Sequence, residues 1–173
     1  MKNIISINRK IDIFSKKSIS VTGDKSLSIR FVLLSSLSNG KCIAKNILKS
    51  EDVISAINVI RKLGIKVKFQ KNTCEVTGKG LFGYNFKKNL ILNAGNSGTT
   101  ARLLLSLLVS SNYWVKITGD QSLKKRDMSR IIKPLKLFGV RFKYGKMKLP
   151  IFIHGSKFLE PIRYNENLGS AQC

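Results

Sequence analysis

Apolar and polar positions change period several times along this chain, and each change marks an element. Phe31, Leu33, Leu34 and Leu37 follow helical spacing, which predicts a helix over 26–37 stopped at Asn39-Gly40. Residues 42–44 read as a short strand. Ser50-Glu51-Asp52 opens a second helix with acids in its first turn and an apolar face of Val53, Ile54, Ile57, Ile60 and Leu63. Gly64 ends it. Residues 65–69 alternate as a half-buried strand, 74–77 pair with them as a hairpin, and Gly78-Lys79-Gly80 is a turn. The order then recurs. A helix over 99–110 precedes a strand over 115–118 and a turn at Gly119-Asp120-Gln121-Ser122. A helix over 127–138 ends at Gly139, and strands over 140–144 and 151–153 close a hairpin before Gly155. Upstream, residues 4–7, 11–14 and 18–21 read as extended pieces. Trp114 and the phenylalanines are read as core.

The two copies can be laid on each other. Arg30 falls on Arg102, and Glu51-Asp52-Val53 on Arg126-Asp127-Met128. Leu63-Gly64-Ile65 falls on Phe138-Gly139-Val140, and Gly78 on Gly155. This is an internal repeat of about 70 residues, each copy β-α-β-α-β-β. The full units cover about 23–80 and 95–157, and a third begins over 158–169 and is cut short.

Composition narrows the classes. The length of 173 residues, 43% of them hydrophobic, supports a real core. No apolar run reaches the ~18 residues of a membrane span. No signal peptide is evident. Cys42, Cys74 and Cys173 are odd in number and widely spaced, which argues against a disulfide framework or zinc site and for a reducing cytoplasm. His154 alone makes no metal cluster. The charge of +23 would normally point to nucleic acid. The bases are spread along the whole chain, however, and Lys, Ile and Asn abound together, as an A/T-biased coding sequence would supply. That predicts only non-specific nucleic-acid binding, and a field that attracts small phosphorylated anions.

Two stretches carry candidate chemistry. Gly23-Asp24-Lys25-Ser26-Leu27-Ser28-Ile29-Arg30 sits where an extended segment meets a helix. Asn93-Ala94-Gly95-Asn96-Ser97-Gly98-Thr99-Thr100-Ala101-Arg102 opens another helix. Unpaired N–H groups and the dipole at helix starts favour anions, and Lys25, Ser26, Arg30 and Arg102 add donors. The plain alternatives are capped surface helices, a solvated charge run at Lys124-Lys125-Arg126, first-turn acids at Glu51 and Asp52, and a structural His154. Neither stretch is a nucleotide-binding Gly-rich loop.

With Gly119-Asp120-Gln121-Ser122-Leu123-Lys124-Lys125-Arg126-Asp127-Met128 and Gly169-Ser170-Ala171-Gln172, these stretches resemble, in order, the motifs of the 5-enolpyruvylshikimate-3-phosphate synthase family. The resemblance implies an α/β (α+β) fold of repeated β-α-β-α-β-β units, the inside-out α/β barrel of the enolpyruvyl transferases, here truncated. Residues 1–21 would supply strands to a second domain, and residues 22–173 would form the substrate-binding domain. It implies phosphoenolpyruvate and shikimate 3-phosphate as substrates, a cytoplasmic enzyme of aromatic amino acid biosynthesis, and no metal or organic cofactor. Lys25 would touch both substrates. Ser26, Arg30, Ser170, Ala171 and Gln172 would hold shikimate 3-phosphate. Asn96, Gly98 and Arg126 would line the phosphoenolpyruvate site, with Arg102 supporting that loop. The family's acid–base carboxylates lie in the second half, so no catalytic residue is expected here, and a separate C-terminal half chain is an expected partner. Two family prolines are replaced, by Thr22 and Asp127; an acid beside Arg126 would weaken the local positive field. Rival readings are a non-catalytic remnant that binds anionic metabolites, and a basic nucleic-acid-binding module.

Overall fold

The first helix–strand–helix–hairpin signal folds as α1 (Lys25–Ser35), β1 (Asn39–Ala44), α2 (Glu51–Lys62), β2 (Lys66–Gln70) and β3 (Thr73–Lys79). The second gives β4 (Ile91–Asn93), α3 (Gly98–Leu107), β5 (Val115–Thr118), α4 (Gln121–Lys125), α5 (Ser129–Leu137), β6 (Arg141–Lys143) and β7 (Ile151–His154). These elements come from a computed structural model that describes residues 20–166 and 169.

The two units repeat in detail. The first sheet has the order β1-β3-β2 and the second β4-β5-β7-β6. So β5-β7-β6 reproduces β1-β3-β2, antiparallel throughout, and β4 adds a parallel strand beside β5. Both second helices stop in the same way. Gly64 and Gly139 take φ of +84° and +89°. The following N–H groups, of Ile65 and Val140, reach back to the Ile60 and Leu135 carbonyls at 3.3 and 3.2 Å. Only a residue free of Cβ strain holds that left-handed turn readily. Gly78 and Gly155 are equivalent too. A Cβ at Gly78 would lie 2.4 Å from the Ser35 and Ser38 carbonyl oxygens, and one at Gly155 would lie 2.4 Å from the Val109 oxygen. In each unit the strand backbone thus passes against the end of the unit's first long helix.

Helices pack side by side: α1 on α2 and α3, and α3 on α5. The sheets lie against them, and one continuous aliphatic core runs through both units, including Ile29, Leu33, Ile57, Leu104, Ile117 and Ile153.

Several sequence expectations are corrected. Ser20 and Val21 belong to no strand, and the other upstream pieces lie outside the described residues. Asn39 and Gly40 start β1 rather than ending the helix, and Gly78 and Lys79 belong to β3 rather than a turn. The expected turn after Gly119 is the short helix α4, because the Asp120 carboxylate takes the Leu123 N–H at 2.7 Å and caps it. The helix expected from 127 starts at Ser129, since the Asp127 carboxylate accepts from the Ser129 N–H and hydroxyl. Strand β4 was too short for alternation to reveal. Residues 155–166 carry no helix or strand, and the end of the third copy lies outside the described residues. No phenylalanine or tryptophan among the described residues is fully buried; aliphatic side chains fill the centre and the rings sit at its margins.

Candidate functional site

Gly23 begins the first half of the site. A Cβ there would lie 2.0 Å from the Asn46 carbonyl oxygen, so glycine alone lets the segment lie flat on the 46–48 loop. Asn46 Nδ2 donates to the Val21 carbonyl at 3.0 Å, and the Leu48 N–H to Ser28 Oγ at 3.0 Å. Asp24 then caps α1 by accepting the Leu27 N–H at 2.7 Å. This corrects the simple helix-end picture: a carboxylate of the chain already occupies part of the positive end of the dipole. Anion affinity here therefore falls to side chains. Lys25 is the first helical residue, and its Nζ lies 3.1 Å from Asp52 Oδ2. Ser26 and Arg30 are four apart, on one side of α1, and both are half-buried.

The second half is built on the 93–98 turn. Asn93 Oδ1 accepts the Gly95 N–H at 2.9 Å, and Gly95 takes φ of +59°. The Gly95 carbonyl accepts the Asp120 N–H at 2.9 Å. Ser97 caps α3 through the Thr100 N–H at 3.2 Å. Asn96 is clamped on both sides of its amide: its Nδ2 donates to Asp120 Oδ2 at 2.5 Å, and its Oδ1 accepts from Arg126 Nη2 at 2.8 Å. Two guanidiniums converge over Gly98. A Cβ there would meet Arg126 Nη1 at 3.0 Å and Arg102 Nη1 at 3.4 Å, so the missing side chain leaves room for both. Arg102 Nη2 also donates to the Asp127 carbonyl at 3.2 Å. The Leu123 N–H, then Asn96, hold the Asp120 carboxyl below its usual range. The Ser129 hydroxyl does the same for Asp127. Among the charges acting on Asp120 is Arg126, whereas the one acting on Asp127 is Arg102. The acid expected to weaken Arg126 is thus engaged with the start of α5, and Asp120 is the carboxylate coupled to that arginine.

One face of α2 links the halves. Asp52 and Ser55 are three apart and share a side. Asp52 pairs with Lys25, while a Cβ on Gly95 would lie 2.6 Å from Ser55 Oγ. Lys25 and the Gly95 turn therefore flank the same stretch of helix. Of the expected residues, Asn96, Gly98, Arg102 and Arg126 form one cluster, and Lys25, Ser26 and Arg30 lie along the N-terminal half of α1. Ser170, Ala171 and Gln172 lie outside the described residues. Sequence reasoning missed Asp120 and the link through Ser55. A signal for the first was present: Gly23-Asp24-x-Ser26-Leu27 and Gly119-Asp120-x-Ser122-Leu123 share one pattern, and each aspartate makes the same cap. Glu51 and Asp52 are first-turn acids as expected, with the added role of Asp52 at Lys25.

No helix among the described residues is long and apolar enough to cross a membrane. A family model described as EPSP synthase (3-phosphoshikimate 1-carboxyvinyltransferase) matches residues 14–173. A 3-phosphoshikimate 1-carboxyvinyltransferase from Thermoanaerobacter sp. (strain X514) is 40% identical over 160 residues, spanning 92% of this chain and 37% of the relative. One from Streptococcus pyogenes serotype M2 is 40% identical over 157 residues, or 90% and 36% of the two chains. A solved EPSP synthase from Acinetobacter baumannii superposes with a TM-score of 0.82 at 33% identity, covering 89% of this chain and 35% of that one. The chain thus spans little more than a third of the relatives it matches. The family model spans residues 14–173 and the fold is reproduced at 33% identity, so the chain belongs to the EPSP synthase (3-phosphoshikimate 1-carboxyvinyltransferase) family.

Proposed function

We propose that this chain is the substrate-anchoring part of a cytoplasmic 3-phosphoshikimate 1-carboxyvinyltransferase. Lys25 touches both substrates, and Ser26, Arg30, Ser170, Ala171 and Gln172 hold shikimate 3-phosphate. Asn96, Gly98 and Arg126 hold phosphoenolpyruvate, with Arg102 bracing the turn. The observation that carries this reading is the convergence of the Arg102 and Arg126 guanidiniums over Gly98, one helix face away from Lys25. In the reaction, the shikimate 5-hydroxyl oxygen adds to the enol carbon while a proton goes to the methylene carbon. Phosphate then leaves as a proton is lost from that same carbon. Both substrates are anionic, and charge-assisted hydrogen bonds contribute about 1.5–3 kcal/mol each. Holding the hydroxyl against the enol carbon accounts for a further share of the rate. The proton transfers need acid–base groups, which this reading assigns to a separately supplied C-terminal half.

Calorimetric titration with shikimate 3-phosphate and phosphoenolpyruvate tests the anchoring role. Binding that Lys25→Ala and Arg126→Ala each weaken about tenfold or more is expected. Unchanged affinity in both variants refutes it. Phosphate release should be absent from the 173-residue chain alone and restored by a matching C-terminal half. Turnover by the chain alone contradicts the assignment of proton transfer to that half.

A further inference from the structure

The outward face of the second sheet is unlike that of the first. Alternation turns Val115, Ile117, Ile151 and Ile153 inward. The opposite face therefore carries Lys116 on β5, Phe152 and His154 on β7, and Arg141 and Lys143 on β6. Their register is direct: Lys116 and Lys143 flank Phe152 from either side, and Arg141 lies across from His154. Trp114, two residues before Lys116, joins the same surface. Its ring meets the His154 ring edge-on at 5.3 Å between centroids, and Lys143 Nζ lies 4.6 Å from its centre. Lys116 Nζ lies 5.6 Å from the centre of the Phe152 ring, which remains 37% exposed. His154 Nδ1 lies 2.8 Å from the Gly155 carbonyl oxygen, and Arg141 Nη2 lies 3.1 Å from Nδ1 and 3.4 Å from Nε2, so the imidazole is held between the two. No acidic residue lies on β5, β6 or β7. At the His154 edge a cavity of about 490 Å³ is lined by Asn112, Arg141, His154, Ser156 and Lys157.

The fold does not require this surface, because the first unit supplies an internal comparison. At the register positions of Phe152 and His154 it has Glu75 and Thr77, and opposite Glu75 stand Ile43 and Lys68. Glu75 pairs with Lys41 at 3.3 Å, as on an ordinary solvated sheet. The same backbone plan thus presents an acid in one unit and rings among cations in the other.

Rings set between cations on an open sheet suit one ligand class: unstacked bases joined by phosphates. We propose that the outward face of the β4-β5-β7-β6 sheet binds single-stranded nucleic acid, with bases on Phe152, His154 and Trp114 and phosphates on Lys116, Arg141 and Lys143. A base that stacks on Phe152 displaces the Lys116 amine from the ring, and the freed amine meets the adjacent phosphate. This surface gives the dispersed charge a place to act. It is separate from the anion site, whose described residues come from α1, the 93–98 turn, Arg102 on α3 and Arg126 after α4.

Trp114 is the only tryptophan, so its fluorescence reports the surface directly. The full chain is titrated with a thymidine 12-mer, an abasic 12-mer of equal charge, and a duplex. The expected result is saturable quenching by the thymidine strand, with both other ligands about tenfold weaker or more, since each stacked base contributes on that scale. The double variant Phe152→Glu plus His154→Thr installs the residues of the first sheet. It should lose about tenfold or more in affinity for the thymidine strand, while Lys66→Glu plus Lys68→Glu on the first sheet changes it less than threefold. Equal affinity for abasic and thymidine strands overturns the proposal, as does preference for duplex or undiminished binding by the double variant. The abasic comparison holds whether or not the variants fold.

Discussion

Replacing Gly78 with alanine tests the contact on which the repeat depends. The added Cβ would lie 2.4 Å from two carbonyl oxygens, of Ser35 and Ser38, and 2.5 Å from Ser38 Oγ. Carbon and oxygen normally meet no closer than about 3.3 Å, so strand and helix end must part by nearly 1 Å. Two backbone hydrogen bonds span that gap, Lys79 N to Ser36 O at 3.3 Å and Gly80 N to Ser38 O at 2.9 Å. Losing both costs about 2 kcal/mol, and the overpacking about 1–3 kcal/mol more. Alanine returns about 0.4–1 kcal/mol by restricting the unfolded chain. The net loss is about 2–5 kcal/mol, or roughly 4–20 °C in Tm for a chain of this size. Thermal unfolding followed by far-ultraviolet circular dichroism measures it, with Gly145→Ala as control, because a Cβ at Gly145 meets nothing within 4 Å. Gly155→Ala should behave like Gly78→Ala, since its Cβ would lie 2.3 Å from the Ser111 nitrogen. A Gly78→Ala protein melting within a degree of the parent would refute the reasoning.

Three further outcomes follow from the site and the core. Asp52→Asn should tighten shikimate 3-phosphate binding about threefold at 0.15 M salt, and more at low salt. A phosphate dianion on Lys25 would sit about 6 Å from that carboxylate, a repulsion of about 1.4 kcal/mol in water that screening halves; weaker binding by Asp52→Asn in calorimetry would show that the carboxylate serves to orient Lys25. Asp120 is held below the ordinary carboxylate range first by the Leu123 N–H, and Asp127 first by the Ser129 hydroxyl. Their contribution is complete above the unfolded value of 3.8 and is lost as pH falls through the lower folded values, so Asp120→Asn plus Asp127→Asn should flatten the acid limb of a Tm-against-pH curve; an unchanged limb counts against these bonds. Burial pushes the Cys74 thiol up to about 11 and leaves it 0% exposed, so peptide mapping after thiol labelling should find Cys74 modified only in unfolded protein.

The parts legible in sequence were those fixed by local chemistry. The apolar face of α2 has an unambiguous period, and Gly64 and Gly139 occupy turns that favour glycine. The motif residues Asn96, Gly98, Arg102 and Arg126 were identified individually, and folding brings them into one cluster. Other features depend on residues distant in sequence. Nothing near Asp52 reveals that its partner is Lys25, and nothing near Gly95 reveals Ser55. The role of Asp120 is ambiguous in sequence because Gly-Asp-Gln-Ser suits a turn as well as a cap. The aromatics misled because ring size suggests burial, whereas the core is closed by aliphatic residues. The cation–ring face of the second sheet required the pairing register, which relates residues 114–116, 141–143 and 151–154 across three strands.

Among the described residues the two sheets share no strand and no backbone hydrogen bond joins one unit to the other. The seam is held by side-chain packing of α1 and α2 on α3, and by reaches such as Lys62 Nζ to the Ile91 carbonyl at 3.2 Å. Side-chain packing imposes no register. A unit can therefore be duplicated and its copies drift apart without either one re-pairing a ladder. Glu75 and Thr77 in one copy, and Phe152 and His154 in the other, are what such independence permits: one architectural plan whose outer wall is free to acquire a second trade.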